Sequence, residues 1–88
     1  MSGEQTNDRE AIALRALGWT LSDDTRADRF LALTGLDAAQ LRARIGDPVL
    51  LAAALRFLEA HEPDLVACAA FLGIAPLQLV ETRRRLES

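Results

Sequence analysis

Few side chains in this sequence are equipped for chemistry. The one histidine, His61, stands three residues before Asp64 and seven before the one cysteine, Cys68, a spacing that would align imidazole, carboxylate and thiol as metal ligands on a continuous helix. Pro63 interrupts that helix, so the three are not expected to converge. Nucleophilic catalysis requires a base within hydrogen-bond reach of an activated hydroxyl or thiol. Ser2, Ser22 and Ser88 fall in termini or at a helix cap, and Glu62 and Asp64 flank a helix break. Cys68, set among Val66, Ala67, Ala69 and Ala70, reads as a small buried hydrophobe with no flanking base to lower its pKa. His61 reads as a residue near a helix C-terminus, satisfied by carbonyls and the helix dipole. The glycines stand singly at helix ends and form no phosphate-cradling loop. No catalytic, cofactor-binding or metal-binding residue is expected, and the chain reads as a non-enzyme.

Residues suited to binding are easier to find. Trp19 lies at the margin of the first helix's apolar face, one turn after Arg15, whose guanidinium could cover its ring. Such a tryptophan either anchors a partner, as aromatic residues do in interface hot spots, or closes one end of the core. Arg83, Arg84 and Arg85 are rotated by about 100° per residue and face three directions rather than one. Arg85 can pair with Glu81 one turn earlier. Arg83 falls between Leu79 and Val80 on the apolar arc, placed to meet an acid on a partner or to lie over the core edge. Together with Phe71, Leu72 and Leu77, at the junction of the last two helices, Trp19, Arg15 and Arg83 form the expected partner-binding set.

These residues must be held by helices. Sixteen alanines and sixteen leucines stand against six Val plus Ile and no Tyr in 88 residues, which favours helix and nearly excludes a sheet. The length allows one domain with one modest core. A net charge of −3 has the wrong sign for general polyanion binding, so nucleic acid is disfavoured as a partner. All ten basic residues are Arg, which fits either planar contacts to carboxylates and phosphates or simply a compositional bias that also favours alanine. One cysteine cannot form an internal disulfide, and residues 1–10 lack the pattern of a secretory leader. Leu65 to Leu77 carries no charge but is broken by Gly73 and Pro76 and falls short of the roughly 18 to 20 residues of a membrane span. A soluble cytoplasmic protein without a membrane segment is expected.

The punctuation marks out a disordered tail over residues 1–6 and a single helical domain over 7–88. Asn7 and Glu10 read as a capping box for a first helix from Asp8 to about Leu21. Ser22 or Asp24 can cap a second, through Thr34, which Gly35 ends. Leu36, Asp37, Gln40 and Leu41 combine a hydrophobic staple with a capping box ahead of a short third helix to Ile45, ended by Gly46. Asp47-Pro48 starts a fourth, to about Ala60; Pro63 starts a fifth, ended by Gly73; Pro76 opens a sixth, toward Leu86. At an offset of 38 residues, Gly35/Gly73, Leu36/Ile74, Gln40/Gln78 and Leu41/Leu79 repeat, so the expected fold is an all-α bundle of five or six short helices with two Gly-centred helix-turn-helix units.

With those residues in view, the chain resembles a family of short, all-helical bacterial proteins of unknown function. Ala16-Leu17-Gly18-Trp19, the run Arg29 to Leu36 leading into Leu41-Arg42, and Asp47-Pro48 leading to Leu55-Arg56-Phe57-Leu58 carry the likeness, over roughly residues 8 to 86. It implies a fold and no activity.

Two function classes follow. The fourth helix offers water only Arg56, Glu59 and small alanines, and the fifth has no polar strip from Leu65 to Leu72, so both ask for burial on all sides. Either they form a central hairpin wrapped by the others, or one face of the fifth is covered by a second copy or a partner. The leading expectation is a protein-interaction module with an apolar helical groove, bordered by Trp19 and arginines, for a protein partner or a homodimer. The alternative is a helix-turn-helix-like DNA-associated regulator: Ala69, Gly73, Ile74 and Leu79 fit that turn, yet only Gln78 in the first turn of the last helix could read a base.

Overall fold

The computed structural model describes residues 2–88, with side chains from residue 9 onward. Six helices follow in chain order: α1 (Ser2–Leu21), α2 (Asp24–Thr34), α3 (Ala38–Ala43), α4 (Pro48–Glu59), α5 (Glu62–Leu72) and α6 (Pro76–Glu87). The protein is an all-α bundle, and no strand occurs among the described residues. Helical backbone in α1 begins at Ser2, ahead of the Asn7 cap that the sequence suggests. The expected tail and the Asn7–Glu10 capping box involve side chains that lie outside the described residues.

Local chemistry explains the remaining boundaries. Of the three adjacent cap-formers Ser22, Asp23 and Asp24, the middle one takes the extended backbone of an N-cap, and its carboxylate accepts from Arg26 N at 2.9 Å. This corrects the expected choice of Ser22 or Asp24. Ser22 instead closes α1, its hydroxyl donating to the Trp19 carbonyl at 2.7 Å. Asp37 and Gln40 form the expected reciprocal capping box, at 2.8 and 2.9 Å. α3 stops two residues short of the expected Ile45, because Arg44 N bonds to Leu41 O and Asp47 N to Arg44 O, tightening the chain into successive turns. Asp47 caps α4 by accepting from Val49 N at 2.9 Å, with Pro48 at the first helical position.

The repeat at an offset of 38 is real at the level of the turns. Gly35 and Gly73 both adopt left-handed backbone, φ 73° and 75°, where a side chain would be strained. Gly35 N bonds to Leu31 O, a single αL closure, whereas Gly73 N and Ile74 N bond to Ala70 O and Ala69 O, a complete Schellman motif. Gln40 and Gln78 both accept, through Oε1, the N–H of their N-cap residue, but Ala75 has no side-chain oxygen with which to reciprocate.

α4 forms the axis of the molecule and packs against α1, α2, α5 and α6. Leu50, Leu51, Ala52, Ala54, Leu55, Phe57 and Leu58 are buried along it. Ala13, Ala16 and Leu17 of α1, Phe30 of α2, Cys68, Ala69 and Leu72 of α5, and Leu79 of α6 close the core around it. Phe30 meets Phe57 edge-on, with centroids 5.4 Å apart. The two buried threonines satisfy themselves: Thr20 donates to Ala16 O and Thr82 to Gln78 O. Within the single chain α5 is not buried all round, so of the two expected arrangements the central hairpin wrapped by the other helices does not hold. The inner face of α5 reaches the core, while Val66, Ala67, Ala70 and Phe71 face outward.

Candidate interaction surface

The six residues expected to bind a partner separate into three groups. Phe71 and Leu77 are exposed, at 70% and 58%. Leu72 is buried and unavailable to a partner, because α5 turns it toward the core one residue after the outward Phe71. Trp19 is half-buried, and the cation over its ring is Arg26 of α2, 3.6 Å from the ring centroid, rather than Arg15. Arg26 also donates to the Trp19 carbonyl and to Ser22 Oγ, tying the α1–α2 corner together. Arg15 is exposed.

Arg83 meets acids of its own chain. Its guanidinium donates to both carboxylate oxygens of Glu59 at 2.6 and 3.1 Å and to Glu87 at 2.8 Å, and the side chain is only 15% exposed. Glu87 in turn accepts two bonds from Arg56. The network Glu59–Arg83–Glu87–Arg56 thus straps α6 to the polar edge of α4. The hydrogen bonds from Arg56 and Arg83 hold the Glu87 carboxyl below the usual range, while Glu59 and Glu87 raise the Arg83 guanidinium further above its already high value. The expected Glu81–Arg85 pair is not among the ion pairs of the described residues.

The histidine and cysteine lie in different surroundings, one exposed and one fully buried. His61 is the N-cap residue of α5 rather than the satisfied end of α4, and its Nδ1 lies 3.1 Å from Asp64 Oδ2. Asp64 also accepts from Arg29 of α2 at 2.9 Å, and that guanidinium sits 5.3 Å from the Phe57 ring centroid. The carboxylate is therefore committed to joining α5 to α2. Cys68 is fully buried, and burial pushes its thiol up to about 11; the nearby Arg26 charge opposes this but is the weaker influence. At neutral pH the group is a thiol, not a nucleophilic thiolate. Among the described residues, no group of three His, Cys, Asp or Glu side chains could hold a metal ion.

A feature missed by sequence reasoning is an open groove of about 380 Å³ between the end of α2, the segment after α3 and the outer side of α4. Leu36, Leu50 and Ala53 line it, Leu33 and Val49 form its lips at 70% and 76% exposure, and Arg44, Asp47 and Arg56 complete its polar rim. A second groove, about 440 Å³, shares Val49, Ala53 and Arg56 and runs toward Leu86 and Glu87 of α6. None of the six expected residues lines either one. The available signal was Val49 itself, an apolar residue beside the α4 cap where no core partner reaches.

The chain turns by 97° between α5 and α6, within the range of helix-turn-helix units, with Ala69 and Leu79 buried behind Gly73. Gln78, the one base-reading side chain there, is turned back onto Ala75 N. No single helix among the described residues is long and apolar enough to cross a membrane.

No curated protein and no solved structure matches the chain. The family described as Protein of unknown function (DUF3572) matches residues 6–88, nearly the whole sequence and the three segments that carried the resemblance. The chain belongs to the DUF3572 family of proteins of unknown function.

Proposed function

We propose that this protein is a non-enzymatic, cytoplasmic interaction module whose α2–α4 groove takes an amphipathic helix of a partner protein. The observation that carries this reading is the pair of exposed lips, Leu33 and Val49, over an apolar floor of Leu36, Leu50 and Ala53. Helix-in-groove recognition uses such a surface, with apolar anchors at helical spacing entering the groove and polar groups fixing register at its rim. Arg44, which makes no ion pair among the described residues, favours an acidic side chain on the occupant. The buried, protonated Cys68 and the committed Asp64 support the non-enzymatic part of the reading.

A second reading, a DNA-associated regulator, is favoured by the 97° turn at Gly73 and disfavoured by the consumption of Gln78 as a cap. One experiment separates them. The tagged protein and its Leu33→Glu/Val49→Glu variant are used to capture proteins from lysate of the source organism, with and without nuclease. A protein retained by the wild type in both halves and lost from the folded variant supports the groove. Equal retention by the variant overturns it, and retention that nuclease abolishes supports the DNA reading.

A further inference from the structure

We infer that the two grooves are halves of one site, and that this site seats a single amphipathic helix of a partner protein, acidic along its flanks, over the outer stripe of α4. The inference rests on the helix-in-groove reading above and adds to it the width of the occupant and the sign of its charge.

The width comes from α4. Between Pro48 and Glu59 its side chains are buried except along one stripe, where Val49 is exposed, Ala53 half-buried and Arg56 exposed. Their four-then-three spacing puts the three on one side of the helix, and they are the residues that both grooves share. The stripe is therefore a ridge with a furrow on either hand, one reaching Leu36 just after α2 and the other reaching Leu86 of α6. Ala53, a single methyl at its middle, keeps the ridge low and lets a second helix come close. A helix laid along the ridge places one row of side chains in each furrow, as ridges fit grooves wherever helices pack. A single row of anchors would fill one furrow and leave the other wet. The occupant's apolar face thus spans two adjacent rows over at least two turns, about 10 Å of helix.

The sign comes from which border charges are already engaged. Both acids are: Asp47 accepts the Val49 N–H as the cap of α4, and Glu87 accepts from Arg56 twice and from Arg83 once. The two cations keep capacity. Arg44 is exposed and makes no ion pair among the described residues. Arg56 meets Glu87 through Nε and Nη2 alone, and its side chain is 62% exposed. Glu87 thus orients Arg56 at the edge that both furrows share, while its own charge is divided between two guanidiniums. The charge left toward an occupant is positive, and carboxylates on the flanks of a helix complement it. A nucleic-acid backbone would answer the cations and leave the apolar furrows unfilled.

The test is a displayed library of helical peptides about twenty residues long, several turns of helix, selected against the full chain. The expected peptides carry apolar residues on two adjacent rows with Asp or Glu beside them, and on titration they move the amide resonances of both Leu36 and Leu86. Arg44→Glu, at an exposed position and with its fold checked by circular dichroism, should weaken them about tenfold at low salt, and changing their flanking acids to Lys should restore binding to that variant. Peptides that move Leu36 but not Leu86, or that bind Arg44→Glu as they bind the wild type, overturn the inference and leave the groove reading standing. A selection that yields no peptide, or only peptides that bind Leu33→Glu/Val49→Glu as tightly as the wild type, sinks both. Furrow resonances that shift with the protein's own concentration, without peptide, would give the surface to a second copy and also overturn the inference.

Discussion

α4 and α5 are nearly the same sequence in composition and opposite in fate. Each is 11 or 12 residues long, largely Ala, Leu and other apolar residues, with two acidic or basic side chains near its ends and none at its centre. Yet seven residues of α4 are buried against three of α5. The difference lies in the neighbours. The charges of α4, Arg56 and Glu59, stand at its C-terminal edge and are met by Glu87 and Arg83, so α6 is strapped across it. The charges of α5, Glu62 and Asp64, stand at its N-terminus; Asp64 ties that end to α2, and nothing ties a helix across the outer face. In this molecule the covered apolar helix is also the one whose charged margin is bridged to the helix strapped across it, and the bare one is bridged only at its N-terminal end.

The sharpest way to break the comparison is to delete one large side chain from each helix. Leu58→Ala, fully buried on α4, should cost about 2 to 5 kcal/mol, the lost transfer energy plus a cavity. Phe71→Ala removes a larger side chain from α5 and should shift stability by no more than about 0.5 kcal/mol. Urea unfolding at a protein concentration of a few micromolar reads both without help from self-association. Comparable losses at the two sites would mean that α5's outer face is not free in the monomer.

The inner face of α5 supplies the next contrast. Cys68→Ser replaces a buried thiol with a hydroxyl, whose partner is at best the carbonyl one turn back, and should cost about 0.5 to 2 kcal/mol for burying the more polar group. The raised thiol also sets a pH dependence. The unfolded cysteine ionises near its ordinary value of about 8.5, whereas the folded one holds its proton to about 11, so stability is full below the first value and falls as pH rises between the two. In Cys68→Ala that alkaline decline should flatten; an unchanged slope would place its cause elsewhere.

Much of this architecture is legible in the sequence because it is written in local chemistry. Asp37 with Gln40, Asp47 with Pro48, and Gly35 and Gly73 specify their caps and turns through contacts within a few residues. What the sequence does not carry is which of two apolar helices lies inside, since that depends on how α1, α2, α5 and α6 close around α4 from distant parts of the chain. The same gap explains the partner-binding residues. Arg83 stands out as an arginine on an apolar arc, but only the fold brings Glu59 and Glu87 to it, and only the fold opens a groove at Leu33 and Val49. Local spacing points to Arg15, one turn away, as the cover on Trp19, and the cover comes from Arg26 across a helix corner.

The turn that swings α6 away from α5 offers a smaller test. A Cβ at Gly73 would meet no atom within 4 Å, so Gly73→Ala carries only the strain of a left-handed alanine, about 1 to 2 kcal/mol. Gly35→Ala, with the same backbone and the same open space, should cost a similar amount by urea unfolding. A much larger loss at Gly73 would show that its Schellman closure also sets how α6 lies over α4.

The strap itself is tested most gently by acid. Hydrogen bonds from Arg56 and then Arg83 hold Glu87 below the ordinary glutamate value of about 4.3, so the folded state resists protonation that the unfolded chain accepts. Its contribution is present above that ordinary value and is lost as pH falls through the lower folded one. Arg56 is largely exposed, so the effect is small and shrinks with added salt. The urea midpoint of the wild type should therefore fall more steeply from pH 5 to pH 3 than that of Glu87→Gln, which keeps the side-chain shape and removes the charge. Parallel slopes at low salt would mean that α6 stays on α4 through Leu79 and its apolar neighbours alone, and that charged margins do not decide which helix is covered.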